Sequence, residues 1–335
     1  MKNETVKGKK VSLELGSGGK MMRNFIDEHI LKTFPNPILG ELADSALLPN
    51  QMAFTTDSYV VDPLFFPGGD IGTLCVNGTV NDLVVAGAKP EYISLSFILE
   101  EGLLWKDLEK ILKSIAVSAK KAGVTIATGD TKVVRRGQGD KIFINTSGLG
   151  TLIVRPDIKN IQEGDKIIVT GTLGEHSLAV MLAREEFGLE ARTKSDCAPL
   201  NFLLPFWKKG ARWMRDITRG GLATVMSELA ENLPHPLVVH EEDVPVSQAV
   251  RGASELLGID PLYLACEGRA VMVVPAKSAP DIVDKLREDK LGKNATVIGQ
   301  VGNCEGKPGE LLLRTVSGGL RLLEPLTSEL LPRIC

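Results

Sequence analysis

The residues in this 335-residue chain that could do chemistry are scattered acids, glycine clusters and a terminal thiol. Asp44, Asp57, Asp82 and Asp130 fall where expected elements begin or end, and Asp216 sits in Arg215-Asp216-Ile217-Thr218-Arg219-Gly220-Gly221. Hard carboxylate oxygens drawn from several elements suit Mg²⁺, which takes a few carboxylates together with phosphates and water. An aspartate at an element boundary is equally at home as a cap or turn residue. Asp82 differs, because it falls inside an otherwise apolar helical stretch, where an unpaired carboxylate is costly and requires a metal or a hydrogen-bond partner.

Gly16-Ser17-Gly18-Gly19 directly precedes an expected helix. Small residues there let backbone N–H groups approach phosphate oxygens, although the same stretch would serve as a flexible turn capping the helix. It matches neither a Walker A loop nor the dinucleotide fingerprint. Gly220-Gly221 before another helix offers a second backbone anion nest. Glu267, between two apolar segments, becomes a general base if burial raises its pKa, or else a turn carboxylate paired with Arg269. Cys335 ends the chain behind a proline-broken segment that offers it no core, so it is either a frayed end or a thiol placed for reaction.

Composition narrows the class. With 43% hydrophobic and 24% charged residues, the chain suits a globular protein of about two domains with a sizeable core. A net charge of -3 and 5% aromatics leave neither a basic stripe nor stacking platforms for nucleic acid. Cys75, Cys197, Cys266, Cys304 and Cys335 are odd in number and lack a CxxC pair, which argues against a disulfide framework or zinc ribbon and fits a reducing cytoplasm. The charged start carries no apolar export segment, and no apolar run reaches membrane-spanning length. The four histidines form no metal-binding motif.

Periodicity supplies the elements that must position these groups. Helices are predicted at 20–32, 70–88, 105–122, 176–187, 200–208, 222–232, 247–257 and 279–289. In the helix at 105–122, Leu108, Ile111, Leu112, Ile115 and Ala119 form one apolar face, with Gly123 as the stop. Strands are predicted at 52–56, 93–99, 124–128, 166–170, 237–239, 262–265, 270–274 and 296–301, with one or two more in 141–154 and a hairpin at 311–323. The reading is α+β in two comparable halves: an N-terminal segment at 1–35, an α+β domain at 36–154, a second at 155–310, and a hairpin with a tail at 311–335. The boundary is placed at Arg155-Pro156.

Together these motifs resemble the hydrogenase maturation family HypE, within the ATP-binding superfamily of aminoimidazole ribonucleotide synthetase (PurM) and selenophosphate synthetase. The resemblance runs nearly end to end, through Gly16-Ser17-Gly18-Gly19, the stretch from Thr56-Asp57-Ser58-Tyr59 to Pro67-Gly68-Gly69, and Gly78-Thr79-Val80-Asn81-Asp82-Leu83. It continues through Thr128-Gly129-Asp130-Thr131-Lys132-Val133-Val134, Asp216-Ile217-Thr218-Arg219-Gly220-Gly221 and Pro332-Arg333-Ile334-Cys335. The terminal tetrapeptide is the most specific element, since the wider superfamily shares the aspartates but not this tail.

The resemblance implies a two-domain PurM-like α+β fold with a flexible C-terminal tail, a homodimer, and ATP with Mg²⁺ as cofactors. It implies Asp44, Asp57, Asp82 and Asp216 as metal ligands. For the nucleotide it implies Gly16, Ser17, Gly18, Gly19, Thr79, Asn81, Gly129, Asp130, Thr131, Gly220 and Gly221. It further implies that a HypF-type carbamoyltransferase loads a carbamoyl group on the Cys335 thiol and that ATP-dependent loss of water makes a thiocyanate. Lys132 would then stabilise charge, Glu267 would take an N–H proton, and the cyano group would pass to a HypC–HypD scaffold for a [NiFe] hydrogenase. Cys266 and Arg269 depart from the family pattern of Asn and Lys at those places. A small-molecule synthetase of the same superfamily, or a non-catalytic thiol carrier, are the competing readings. From Pro325 the tail could reach on the order of 30 Å if extended.

Overall fold

The structure is a computed structural model that describes residues 10–16, 19–184, 192–302, 306–326, 331 and 333–335. Ser17 and Gly18 of the glycine loop, Cys304, Pro332 and the end of the helix expected to reach Phe187 lie outside the described residues. In chain order the strands are β1 (Ala46–Leu48), β2 (Met52–Tyr59), β3 (Phe65–Phe66), β4 (Gly69–Asp70), β5 (Ala88–Glu100), β6 (Thr125–Val134), β7 (Ile142–Leu152), β8 (Lys166–Val169), β9 (Trp213–Asp216), β10 (Leu237–His240), β11 (Ala270–Val274), β12 (Thr296–Val301), β13 (Leu311–Arg314) and β14 (Leu320–Leu322). The α-helices are α1 (Lys20–Phe25), α2 (Leu31–Thr33), α3 (Ile71–Val85), α4 (Trp105–Ala122), α5 (Glu175–Arg184), α6 (Leu204–Lys208), α7 (Gly221–Ala230), α8 (Gln248–Leu257) and α9 (Ala279–Glu288). A π-helical turn over Ile26–Ile30 joins the first two, so the helix expected at 20–32 is not uniformly α.

Two sheets organise these elements. The first runs β1-β2-β7-β5-β6, antiparallel except for the parallel β5–β6 pair at one edge. The second runs β14-β13-β10-β12-β8-β11-β9 and is parallel only between β10 and β13. Helix α3 packs on β2, β5, β7 and α4, and it also reaches β9 of the second sheet. This explains its sequence: apolar on nearly every side, it leaves Leu74, Val76, Val80 and Val84 fully buried. Each such side chain stabilises the fold by about 1.5–3 kcal/mol relative to exposure. Asp70 caps the helix by accepting from the Thr73 N–H at 2.8 Å.

One continuous apolar cluster joins α3 to Leu178, Leu200, Phe206, Trp207 and Leu264 of the second half. Trp207 Nε1 donates to the Val84 carbonyl at 2.9 Å across the same junction. The two halves are therefore locked where α3 ends, which is where Asp82 lies.

Several predicted elements change on this scaffold. Strand β6 does not stop at Thr128 but carries Gly129-Asp130-Thr131-Lys132 inside it, because β5 supplies backbone partners as far as Val134. Similarly β2 runs past Asp57 to Tyr59, and residues 141–154 give the single strand β7. Residues near 262–265 form a 3-10 turn, Pro261–Tyr263, rather than a strand, since Pro261 opens the segment. In α4, Ile111, Ile115, Ala119 and Ala122 face the core, but Leu112 is 41% exposed.

Candidate active site

Three carboxylates from distant parts of the chain converge: Asp44 before β1, Asp82 within α3 and Asp216 at the end of β9. One oxygen or more from each lies within 4.8 Å of the others. Asp216 is buried and the other two are half-buried. Burial first, then the neighbouring charges of Asp57, Asp216 and Asp44, pushes the Asp82 carboxyl well above the usual range. Asp216 is pushed up by burial and Asp44, with Arg215 pulling it back. Asp57, raised mainly by burial, belongs to the same electrostatic group, and the Tyr59 hydroxyl donates to it at 3.1 Å.

Local packing fixes this arrangement. The Thr55 hydroxyl lies 2.9 Å from the Asp44 carbonyl and 2.7 Å from Asp82 Oδ2. Its single proton is shared between these two acceptors, tying Asp82 to the backbone that carries Asp44. Gly78 is required because a Cβ there would lie 2.4 Å from the Tyr59 hydroxyl, which could then no longer reach Asp57. Arg215 Nε donates to Asp44 at 2.7 Å and its Nη1 to Glu228 at 3.0 Å, placing one cation behind the cluster.

Glu267 lies in the turn before β11, 3% exposed, with its Oε1 lacking a hydrogen-bond partner among the described residues. Its backbone is held firmly: its N–H donates to Asp196 at 3.1 Å, and its carbonyl accepts from Asn81 Nδ2 at 3.2 Å. Burial, then Asp216, Asp196 and Asp57, pushes its carboxyl well above the ordinary value, while Arg219 pulls it down. It is therefore a buried carboxyl whose charge is coupled to the acid cluster. Its partner is not Arg269, which lies 3.7 Å from Asp196.

The glycine segments meet through the cation that also influences Glu267. Arg219 Nη1 donates to the Gly16 carbonyl at 2.9 Å, joining the N-terminal loop to the Gly220-Gly221 turn before α7. That turn needs two glycines, with φ of 80° and 63°, and a Cβ on Gly221 would lie 2.4 Å from the Leu262 carbonyl. Gly19 is buried beside α1.

Thr79 and Asn81, both expected at the nucleotide, have their polar atoms engaged within the fold. Thr79 is fully buried and bonds to the Cys75 carbonyl, the Thr146 hydroxyl and Tyr59. Asn81 spends both amide hydrogens on the Ala198 and Glu267 carbonyls and accepts from Leu200 N at 2.8 Å. Both residues hold the site together, and their polar atoms are already used. Gly129, Asp130, Thr131 and Lys132 lie elsewhere, on the exposed outer strand β6, where Lys132 and Asp130 pair at 2.9 Å. The cross-strand row Asp57, Thr146, Leu95, Gly129 separates them from Asp57 by three strand spacings, about 14 Å. Gly129, Asp130 and Thr131 line an open groove of about 550 Å³ with Leu95, Phe97 and Ile126.

The end of the chain is seated on this body. Leu331 and Ile334 are buried, and Cys335 is half-buried against the same apolar cluster. A core for the tail therefore exists where the sequence showed none. Arg215, Arg219, Tyr59 and Asp196 also escaped sequence reasoning. The signal for the arginines was their placement either side of Asp216 in a charged, glycine-ended motif.

The fold and the convergent acids define a class. The AIR synthase related protein N-terminal domain matches residues 43–152, and the AIR synthase related protein C-terminal domain matches residues 162–308. The chain is 42% identical over 337 residues to carbamoyl dehydratase HypE of Escherichia coli, covering 97% of this chain and 99% of that protein. It is 42% identical over 340 residues to carbamoyl dehydratase HypE of Rhodobacter capsulatus, covering 98% and 99%. A HypE solved with ATP superposes with a TM-score of 0.81 at 43% identity, covering 97% of this chain and 100% of the other. A HypE–HypF complex gives 0.85 at 42% identity, covering 90% and 99%. Thiamine monophosphate kinase of Aquifex aeolicus, at 18% identity and a TM-score of 0.68, shares the fold. The chain belongs to the HypE family of AIR synthase related proteins.

Proposed function

We propose that this chain is an ATP-dependent carbamoyl dehydratase whose substrate is its own C-terminal thiol, carried as a thiocarbamate and converted to a thiocyanate. The observation that carries the reading is the buried Glu267 oxygen, without a hydrogen-bond partner among the described residues, whose carboxyl feels the charge of Asp216 in the group of three convergent carboxylates. Relatives named carbamoyl dehydratase, and one solved with ATP, support it.

The carbamoyl oxygen is a poor leaving group. Its attack on the γ-phosphorus of ATP forms an O–P bond, expels ADP and, with loss of one N–H proton, leaves an O-phosphorylated imidate on the sulfur. Breaking the C–O bond then releases phosphate, the second N–H proton leaves, and the C≡N bond forms. Glu267, whose proton affinity is raised by burial, accepts an N–H proton. Arg219 ties the glycine loop beside this point and supplies positive charge toward Glu267 and Asp57.

The donor set fits a hard divalent cation: three carboxylates within reach, two of them raised by burial and then by their neighbours' charges, with the half-buried Arg215 as counter-charge. Asp44, Asp82 and Asp216 would hold Mg²⁺, with Asp57 beside them. When bound, the ion supplies charge neutralisation for the transferring phosphoryl group.

A HypF-type carbamoyltransferase fits the loading step, since a HypE–HypF complex is known among the relatives, and a HypC–HypD scaffold would receive the cyano group. A homodimer would cover the exposed β6 strand and bring Asp130 and Lys132 of one chain toward its partner. Among the described residues no helix is long and apolar enough to cross a membrane, and the free thiols suit a reducing cytoplasm. Phosphate release tests the reading: a single burst stoichiometric with carbamoylated Cys335 is expected, and ATP turnover independent of carbamoylation would reject it.

A further inference from the structure

The backbone oxygens of residues 333–335 are each claimed by donors from distant parts of the fold. Arg333 O accepts from Asp62 N at 3.2 Å and from Arg184 Nη2 at 2.9 Å. Ile334 O accepts from His176 Nε2 at 2.8 Å, and Cys335 O from Val60 N at 3.1 Å. The side chains set the register: Ile334 is 4% exposed, and Arg333 Nε donates to the Val60 carbonyl at 2.8 Å while its Nη1 pairs with Asp140. Arg333 adopts a φ of 53°, a left-handed conformation an arginine does not choose unaided, so the seat imposes it.

His176 is the one buried polar side chain in this set, and its bonding fixes its tautomer. A carbonyl can only accept, so Nε2 carries the proton. Nδ1 must then accept from the Ser195 hydroxyl, 2.8 Å away, whose oxygen in turn accepts from Cys197 N at 3.0 Å. The edge of Phe66 packs against the ring. Ser195 also bonds through its N–H to the Pro67 carbonyl at 2.7 Å, and the next residue, Asp196, holds the Glu267 N–H. The seat of the tail is thus connected by short bonds to the backbone carrying Glu267.

We propose that His176 is the positioning residue for the terminal thiol: it fixes the register in which Cys335 is presented, and Ser195 ties that register to the Asp196–Glu267 crossing. This rests on the dehydratase reading for its catalytic consequence, but the seat itself does not. A tail shifted by one residue would offer His176 the wrong carbonyl and pull Ile334 from its pocket. Loading and donation require the same bonds to open, so the latch sets how often the thiol leaves.

The full-length chain and three variants test this, and the seat itself is read without any turnover. His176→Phe keeps the ring against Phe66 but removes the donor, Ser195→Ala removes the hydroxyl that selects the tautomer, and His176→Gln keeps a donor. His176→Phe should raise both the hydrogen exchange of the Val60 and Asp62 amides and the alkylation of Cys335 by iodoacetamide about tenfold. Ser195→Ala should give a smaller rise, and His176→Gln should lie close to the native chain. In carbamoylated protein, His176→Phe should slow dehydration with the KM for ATP unchanged. Unchanged exchange and alkylation in a His176→Phe protein with a near-native melting temperature would overturn the proposal. So would imidazole ¹⁵N shifts of the native chain placing the proton on Nδ1, a measurement that decides even where His176→Phe does not fold. A latch behaving as described in a chain that never dehydrates its carbamoyl group would support the seat while rejecting the dehydratase reading.

Discussion

At the residue scale the site depends on carboxylates kept in the wrong environment for charge. Glu267 has an oxygen with no hydrogen-bond partner among the described residues, and its backbone is pinned on both sides, so it is held in place through its main chain. Glu267→Gln should lower dehydration of the carbamoylated chain by at least about 100-fold while leaving ATP affinity unchanged, as measured by single-turnover phosphate release and nucleotide titration. Asp82 shows the cost of the arrangement. With burial and three neighbouring carboxylates opposing its charge, Asp82→Asn should raise stability at neutral pH by about 1 kcal/mol in the absence of divalent cation, read from urea unfolding. A loss of stability instead would mean that the cluster is not repulsive. Asp82 was legible in the sequence because a carboxylate in an apolar helix needs an explanation, whereas the arginines that balance the cluster act across 171 residues, from Arg215 to Asp44.

At the scale of elements, long-range pairing decided what local signals could not. Gly129-Asp130 punctuates the sequence like the end of a strand, yet β5 carries β6 through it, and the motif becomes an exposed sheet edge. Thr79 and Asn81 lie on α3 as expected, but Thr79 spends its hydroxyl within the first half, on Cys75, Thr146 and Tyr59, and Asn81 spends its amide on the junction between the halves. The tail was read as coreless because its pocket is made by residues more than 100 positions away, Val60, Asp62, His176 and Arg184. Burial, partly opposed by Asp196 and the bond to Ile334, holds the His176 imidazole below its ordinary pKa. The unfolded histidine therefore binds a proton more readily than the folded one, so the fold around this seat is fully favoured above about pH 6.5 and weakens as pH falls below it. Hydrogen exchange at Val60 and Asp62, corrected for intrinsic rates, should lose protection between pH 7.5 and 5.5 (values bracketing about 6.5), and His176→Gln should flatten that slope.

At the scale of the molecule, two sheets meet along one helix, and the acids of three separate segments meet at the same seam. The alternation of helices and strands, repeated after the Arg155-Pro156 boundary, made two α+β halves readable from sequence, while the fusion of their cores through α3 is a property of the fold. Strand β6 leaves Val133 68% exposed at the sheet edge, a surface suited to a second copy of the chain. If the proposed homodimer forms through this edge, Val133→Glu should shift the sedimentation of the protein from dimer to monomer, and an unchanged dimer would place the interface elsewhere. The central claim, that the substrate is attached to this chain and loses water there, is tested most directly by intact mass after carbamoylation and then ATP. The account predicts that the carbamoylated species loses the mass of one water and that Cys335→Ala acquires neither change. Dehydration persisting in the Cys335→Ala chain, or a carbamoyl adduct that ATP leaves unaltered, would contradict it.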